Sequence, residues 1–225
     1  MPQGRGCMSS FVVGHLYATT KPQRIGEDQA FTGIWKDAIQ VADLDEQGIK
    51  GDIQVDRRVH GGTEKALHQY AIPSYARLHA AFPELAARMP IGSMGENLTV
   101  LGMHESNVHI GDIYRLGSAL VQVSQPRNPC WKINSKFDDE RLAKFIATQH
   151  INGWYYRVLE SGSVQVGDSM DLVERFNPIS LHNFLEVYAE HRPNFLLLRN
   201  LADCQGLTPS WQVKIQQRIE VLQRL

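Results

Sequence analysis

The stretch NVHIGDIYRLGSALVQVSQPRNPC, residues 107–130, shows the pattern that determines the fold of most of this chain. Its apolar runs are short, and residues 119–123 alternate apolar and polar side chains, which is typical of a half-buried strand. Gly111 and Asp112 stand just before a new run, as turn residues do. Short strands with frequent turn signals favour a barrel or a sandwich over a doubly wound parallel sheet.

Similar runs extend from Ser10 to about Arg175, and two helices are predicted among them. The first covers residues 72–89 and should break near Pro83, because proline cannot donate a backbone hydrogen bond inside a helix. The second covers residues 138–150, where three acidic residues favour the positive end of the helix dipole. The strand-rich part of the chain is therefore expected to carry inserted helices.

The pattern becomes helical after residue 177, where we place a domain boundary. Thr208 before Pro209 is a good helix start, an N-cap residue followed by proline at the first helical position. The length of 225 residues suits one large domain or one domain with an appendage, at roughly 150 residues a domain. The three helices predicted in the tail span residues 180–190, 194–204 and 209–225.

Composition excludes several classes of protein. Lys and Arg number 23 against 24 Asp and Glu, so the net charge of −1 gives no global field for nucleic-acid binding. Three cysteines with no CxxC pair argue against a disulfide framework and a structural zinc site. No apolar run is long enough for a membrane span, and the first apolar stretch is interrupted by Gly14 and His15, unlike a secretory signal. We expect a cytoplasmic protein with free thiols.

The first segment whose residues could bind a ligand or take part in catalysis contains Arg57, Arg58 and His60, followed by a Gly-Gly pair and Lys65. Glycine lets backbone N–H groups approach a phosphate, and arginine can bind it through two hydrogen bonds. The segment therefore suggests an anion-binding loop. A charged surface loop closed by a glycine turn is the alternative.

The second segment is GSMGENL, residues 92–98. On local evidence it is a turn before a strand. Glu96 and Asn97 would gain a function only if the fold brought them to the first segment, where a carboxylate and an amide could bind a polar heterocycle.

The third segment presents Cys130 after a strand, and two prolines, Pro126 and Pro129, stiffen it. Arg127 and Lys132 flank the thiol and favour its thiolate form, which acts as a nucleophile or a soft-metal ligand. The alternative is a small buried apolar residue, which we expect for Cys7 and Cys204.

Taken together, these segments resemble the MOSC domain family, and within it the YiiM-like group with a C-terminal three-helix domain. The similarity extends over roughly residues 10–175, and the last fifty or so residues match the three-helix tail of that group. One departure is Met94, where the family pattern leads us to expect an aromatic residue. The motifs that carry the resemblance are RVHGG (58–62) with KAL (65–67), GENL (95–98), NVHIGD (107–112), VSQPRNPC (123–130) and GWYYRV (153–158).

The resemblance implies a mainly β fold with helices, a closed and mostly antiparallel β-barrel over residues 10–176 followed by a three-helix tail over residues 177–225. It also implies a molybdenum cofactor, a molybdenum-pyranopterin, with Cys130 as the molybdenum ligand. The implied activity is reduction of N-hydroxylated bases and related N-oxygenated compounds, such as 6-N-hydroxylaminopurine, to amines. Such an activity would detoxify these compounds.

Residue roles follow from this resemblance and from side-chain chemistry. His60 titrates near neutral pH and is a candidate proton donor, so Cys130 and His60 are the predicted catalytic residues. Trp131 or Trp154 could provide a face for a purine ring. The predicted cofactor-binding residues are Arg57, Arg58, Lys65, Glu96, Asn97, Arg127 and Asn128.

No flavin, haem or iron–sulfur motif is visible, so a separate flavoprotein is the expected electron donor, and a homodimer is a family-level expectation. We expect neither a nucleic-acid nor a membrane partner. The alternative function is a non-catalytic carrier of molybdenum cofactor, or of sulfur as a Cys130 persulfide. A third reading is an interaction module built on the tail, although its apolar positions, such as Phe184, Leu185, Val187, Phe195 and Leu196, are by default expected to cover the barrel.

Overall fold

The structure is a computed structural model that describes residues 9–55 and 61–224. Its strands are β1 Ser10–Ala18, β2 Gln23–Ile25, β3 Ala30–Thr32, β4 Asp37–Ile39, β5 Val41–Asp45, β6 Gly48–Ile49, β7 Leu67–Gln69, β8 Leu98–Leu101, β9 Ile113–Leu116, β10 Ala119–Pro126, β11 Trp154–Glu160, β12 Gly162–Gln165 and β13 Ser169–Glu174. Its α-helices are α1 Ile72–Ala81, α2 Trp131–Phe137, α3 Leu142–Thr148, α4 Leu181–Ala189, α5 Phe195–Ala202 and α6 Pro209–Leu222. Two 3₁₀ helices span Thr63–Lys65 and Pro83–Arg88.

Seven strands close into a barrel in the order β13-β9-β10-β11-β7-β8-β1, and β1 pairs back onto β13. The closing contact is antiparallel and aligns Ser10 with Asp171. One pairing in the barrel is parallel, between β7 and β8, where Gln69 aligns with Leu98. Closure leaves no free edge between these strands. The predicted closed, mostly antiparallel β-barrel with helices is confirmed, and the sheet is mixed.

Strand β10 is buried along almost its whole length, so the expectation of a half-buried strand is wrong. Its outer polar side chains are covered by other parts of the chain and form hydrogen bonds there. Ser124 Oγ donates to the Glu64 carbonyl at 2.6 Å, and Thr208 Oγ1 donates to Gln125 Oε1 at 3.1 Å. The apolar side chains of the alternating pattern make apolar contacts, and the polar ones form hydrogen bonds with the segments that cover them. Burying a polar group costs free energy unless it is paired.

The inserted helices agree in part with the prediction. Helix α1 ends before Pro83 and a 3₁₀ turn continues the segment, so the predicted break is confirmed. The second insert begins later than predicted, because Asp138 takes a left-handed conformation with φ of 56° and ends helix α2. Helix α2 itself was not predicted, and it starts directly after Cys130.

Three helices follow the barrel, as predicted. Ser180 and Asn194 cap α4 and α5 by accepting backbone N–H hydrogen bonds, and Thr208 precedes α6. Phe184 and Trp211 belong to the same apolar cluster as the barrel interior. The domain boundary at residue 177 stays a prediction.

The covering of the barrel by the tail is incomplete. Phe184 and Leu185 are buried as expected, whereas Phe195 and Leu196 are exposed, so their expected burial is wrong. Both lie in the first turn of α5, and the buried residues of this helix, Leu198 and Leu201, come later in it. In the described part of the chain no helix is long and apolar enough to cross a membrane.

Candidate active site

Neighbouring strands of the barrel bring the candidate residues to one cleft. Strands β10, β11, β7 and β8 lie side by side, and the register aligns Tyr155 of β11 with His68 of β7. The volume of the cleft is about 650 Å³ when the open solvent at its mouth is included. Its lining residues are Thr32, Gly33, Ile34, Lys36, Asp52, Ile53, Gln54, Val55, Lys65, His68, Met94, Gly95, Asn97, Arg127, Cys130, Lys132 and Tyr155.

Cys130 lies in the wall of this cleft and is a half-buried free thiol. It holds an extended conformation between β10 and α2, and Arg127 and Lys132 line the same cleft. Cys204 differs. It is buried below α5 with Sγ against the Asn200 carbonyl, and burial raises the pKa of its thiol to about 11. The reading of Cys204 as a small buried residue fits this setting, and Cys7 lies outside the described residues.

The backbone on both sides holds Arg127 in place. Its N–H donates to the Gly153 carbonyl at 3.0 Å, and its carbonyl accepts from Asn152 Nδ2 at 2.9 Å. Nη2 donates to the Met94 carbonyl at 3.1 Å, while Nη1 is buried and has no hydrogen-bond partner among the described residues. A buried guanidinium N–H without a hydrogen-bond partner costs free energy. Because Arg127 lies at the cleft wall, this N–H is suited to donate a hydrogen bond to an acceptor atom of a bound ligand.

A buried ion pair that sequence reasoning missed forms another part of the wall. Lys36 Nζ contacts both carboxylate oxygens of Asp52 at 2.6 Å, and the two side chains are 7% and 2% exposed. Asp52 also accepts from Asn97 Nδ2 and from the Thr19 backbone N–H, each at 2.8 Å. Burial lowers the pKa of Lys36, and the carboxylate of Asp52 opposes that shift. The two residues are sixteen positions apart along a stretch of loop and short strands, so no local sequence motif predicts the pair.

Asn97 lies in the cleft, as predicted, and its amide is fully engaged. Oδ1 accepts from the His68 backbone N–H at 3.1 Å, and Nδ2 donates to Asp52 and, at 3.3 Å, to the Tyr17 carbonyl. The side chain therefore ties β7 to β1 and to the Asp52 loop. His68 and Tyr155 belong to segments that the sequence singled out but were not among the predicted site residues; both line the cleft, and their rings lie 5.3 Å apart.

Two predicted cofactor contacts are placed elsewhere. Glu96 is completely buried beneath the cleft and does not line it, because its carboxylate accepts hydrogen bonds from Tyr75 and from backbone N–H groups. Burial raises the pKa of this carboxyl. Asn128 is exposed and lies outside the lining, although Arg127 and Cys130 on either side of it line the cleft.

The tryptophans separate in the same way. Trp154 is fully buried in the barrel core and cannot provide a face for a ligand. Trp131 follows Cys130 and is 47% exposed.

The predicted anion-binding loop is described only at its edges. Arg57, Arg58 and His60 lie outside the described residues. Lys65 lines the cleft, and burial lowers the pKa of its amine. Gly62 donates its backbone N–H to Gln54 Oε1 at 3.0 Å, which ties the end of the loop to the cleft wall. The roles of these residues stay predictions.

The charges of the cleft favour an anionic ligand. Its described lining contains the cationic residues Lys36, Lys65, Arg127 and Lys132, against the single carboxylate of Asp52. Asp52 is paired with Lys36, and Arg127 and Lys132 line the cleft beside the Cys130 thiol. The cleft can therefore bind a phosphate-bearing ligand and offer a sulfur ligand or nucleophile within reach of it.

Comparison with known proteins identifies the family. Residues 56–171 match the MOSC domain model, and the chain belongs to the MOSC domain family. It is 38% identical over 176 residues to Protein YiiM of Escherichia coli (strain K12), an alignment that covers 78% of each protein. Family membership supports a function related to the molybdenum cofactor.

Two further similarities concern activity and structure. A protein of Gibberella moniliformis (strain M3125 / FGSC 7600) named Reductase is 39% identical over 161 residues, which are 71% of this chain and 28% of that protein. The crystal structure of YiiM from Escherichia coli superposes with a TM-score of 0.79 at 29% sequence identity, and covers 95% of this chain and 94% of that one. The fold, including the helices after the barrel, is therefore that of YiiM.

Proposed function

We propose that this protein reduces N-hydroxylated bases and related N-oxygenated compounds, such as 6-N-hydroxylaminopurine, to amines, in a reaction that depends on a molybdenum cofactor. The observation that carries the proposal is the placement of the Cys130 thiol and three cationic side chains, Lys65, Arg127 and Lys132, in one cleft of a MOSC protein. The similarity to a protein named Reductase supports the reductive direction.

The residues of the cleft fit the cofactor. A pyranopterin carries a phosphate, and the amines of Lys65 and Lys132 with the guanidinium of Arg127 suit that anion. The buried Nη1 of Arg127 could donate a hydrogen bond to a phosphate oxygen of the cofactor. The Cys130 sulfur would be the protein ligand of the metal, because soft thiolates match soft, redox-active metals.

Reduction of N–OH to N–H takes up two electrons and two protons and releases water. When bound, the cofactor supplies the electron pair. The protein supplies orientation and protons. His60 remains the predicted donor, and Lys36 adds a second candidate, since its amine lies at the cleft wall beside Asp52.

The purine ring of a substrate has one candidate face among the two tryptophans. Trp131 is half exposed and adjacent in sequence to Cys130 and Lys132, both of which line the cleft. Trp131 does not itself line the cleft, so ring recognition by this side chain stays a prediction.

The proposal includes an external electron donor, because no flavin, haem or iron–sulfur motif is visible in the sequence. A separate flavoprotein would deliver electrons to the cleft. A homodimer and a cytoplasmic location belong to the same proposal.

Expression in cells that make the cofactor tests this function. The purified protein should contain molybdenum and pterin, and with a flavoprotein reductase or a chemical reductant it should convert 6-N-hydroxylaminopurine to adenine. If protein replete with cofactor shows no turnover with any electron donor, the reductase function is excluded and the carrier function is favoured. Protein that never retains molybdenum would exclude both the reductase and the cofactor carrier, and it would favour the carrier of sulfur as a Cys130 persulfide.

A further inference from the structure

A buried carboxylate and a buried tyrosine lie beneath the cleft and are not part of its lining. Tyr75 Oη donates to Glu96 Oε1, and both side chains are buried, with at most 2% of their surface exposed. Tyr75 belongs to α1, whereas Glu96 stands before β8, so the pair joins a helix to the barrel wall.

Both residues hold the backbone of the turn formed by residues 92–95. Glu96 Oε1 accepts from the Gly92 N–H at 2.9 Å, and Oε2 accepts from the Met94 N–H at 2.9 Å. The Tyr75 oxygen lies 3.0 Å from the first of these nitrogens and 3.2 Å from the second. Gly92 takes a φ of 96°, and an added Cβ would lie 2.5 Å from the Tyr17 ring, so this position of the turn requires glycine.

The other side of the turn is held by a cation. Lys136 Nζ donates to the Ser93 carbonyl at 2.7 Å and to the Ile34 carbonyl at 3.3 Å. The turn is therefore fixed between the Glu96–Tyr75 pair and helix α2, the helix that begins after Cys130.

This fixed turn presents an acceptor to the cleft. The Met94 carbonyl accepts from Arg127 Nη2 at 3.1 Å, and Met94 and Gly95 line the cleft together with Arg127. The carboxylate orients the Met94 N–H, and the same residue's carbonyl orients the guanidinium.

We infer that Glu96 and Tyr75 are positioning residues that act through the 92–95 turn to hold Arg127 in the cleft. Neither touches a ligand. Their effect reaches the site through two consecutive hydrogen bonds, and loss of either bond frees Arg127 to adopt other rotamers. The role of Arg127 toward the cofactor rests on the proposed function, whereas its position does not.

The chain offers a matched control for this pair. Tyr114 Oη donates to Asp112 Oδ2 at 2.9 Å, and both residues are fully buried, but neither lines the cleft. Tyr114→Phe thus removes a buried tyrosine–carboxylate hydrogen bond of the same chemistry away from Arg127.

The test compares Tyr75→Phe, Glu96→Gln and Tyr114→Phe in the full-length chain. The first readout is the side-chain Nε–Hε NMR signal of Arg127, assigned by its loss in Arg127→Lys and recorded on protein without cofactor. We expect the signal to shift or broaden in Tyr75→Phe and Glu96→Gln and to stay in place in Tyr114→Phe. The second readout is molybdenum and pterin content after expression with cofactor synthesis, expected to fall about tenfold in the first two variants only.

The outcomes are separable. An unchanged Arg127 signal in Tyr75→Phe and Glu96→Gln, or an equal change in Tyr114→Phe, overturns the inference. A displaced signal with full cofactor content overturns the claim that this position serves the cleft. If wild-type protein retains no cofactor, the proposed function fails, and the NMR comparison still decides whether Glu96 and Tyr75 position Arg127. Should Glu96→Gln fail to fold, Tyr75→Phe keeps the carboxylate and suffices.

Discussion

Asp52 and Asp112 are two buried aspartates with similar bonding in different parts of the molecule. Asp52 accepts from Lys36, Asn97 and the Thr19 backbone. Asp112 accepts from Arg175 through Nε at 2.8 Å and Nη2 at 2.6 Å, and also from Tyr114 and from the His109 backbone N–H at 3.0 Å. Each carboxylate satisfies several donors, yet only Asp52 lines the cleft.

The difference between the two sites lies in what surrounds them. Asp112 fastens the start of the tail to the barrel, because Arg175 follows β13 and Asn177 Nδ2 bonds the Ile110 carbonyl at 2.6 Å nearby. Asp52 holds Lys36 at a wall that is open to solvent. The burial of a carboxylate therefore does not show whether it serves the stability of the fold or the reaction in the cleft. The residues around it determine which of these its replacement affects.

Replacing the cysteine of each region should give the largest contrast. Cys130→Ser should lose nearly all molybdenum and activity, because a hydroxyl is a poor ligand for a soft metal, while the fold survives. Cys204→Ser, on the tail side, should retain both. Metal analysis, the reductase assay and circular dichroism measure these effects. Normal activity in Cys130→Ser would exclude the ligand assignment, and loss of the fold would favour a core cysteine.

The next largest effect is expected from Asp112→Asn. The amide cannot accept from all four donors, so buried N–H and O–H groups lose their partner and stability should fall by about 3 kcal/mol. Urea denaturation measures the change. Activity per folded molecule should stay at the wild-type level, and a specific loss of activity would contradict the separation of the tail anchor from the cleft.

Asp52→Asn should lower both stability and activity. The Lys36 and Asp52 side chains are 7% and 2% exposed, so the amide leaves a buried ammonium group without its counter-ion, and the free energy of unfolding should fall by about 3 kcal/mol, as in Asp112→Asn. Turnover should fall about tenfold, since Lys36 loses the carboxylate that holds its ammonium group. The measurements are the same denaturation and assay. A variant with full activity and the stability loss of Asp112→Asn would show that Asp52 is only structural.

The last prediction concerns the pH dependence of stability on the cleft side. Burial lowers the pKa of Lys136 to about 8, below the value of the unfolded chain. Between that pH and about 10.4 the unfolded state binds more protons, so stability should rise with pH by at most about 1.4 kcal/mol per unit. Lys136→Met should lack this rise, and denaturation of both proteins from pH 7 to 10 tests it. Parallel profiles would contradict a buried, titrating amine.

Local patterns in the sequence predicted elements whose causes are themselves local. The break before Pro83 and the starts of the tail helices at Ser180, Asn194 and Thr208 follow from backbone chemistry within a few residues. Cys130 and Arg127 also lie close because they are three residues apart. Helix α2 was missed because its sequence, WKINSKF, carries no capping signal and no regular apolar stripe.

Contacts between distant segments could not be read in the same way. Glu96 and Asn97 are neighbours in sequence, yet one is locked beneath the cleft and the other faces it. Lys36, Asp52 and Asn97 meet only after β1, β4 and β8 have paired. The burial of both faces of β10 likewise depends on the tail folding back over it.

The sequence alone determined a strand-rich part, a helical tail and the thiol on which the proposed chemistry depends, because periodicity, caps and motif chemistry act over short stretches of chain. That the strands form a barrel was implied only by the resemblance to the MOSC domain family. The closure of β1 onto β13, the Lys36–Asp52 pair and the hold of Glu96 on the 92–95 turn were decided only by the tertiary structure. Each of these joins residues or strands brought together by barrel closure and packing, and a hydrogen bond or ion pair between such groups has no signature until the chain is folded.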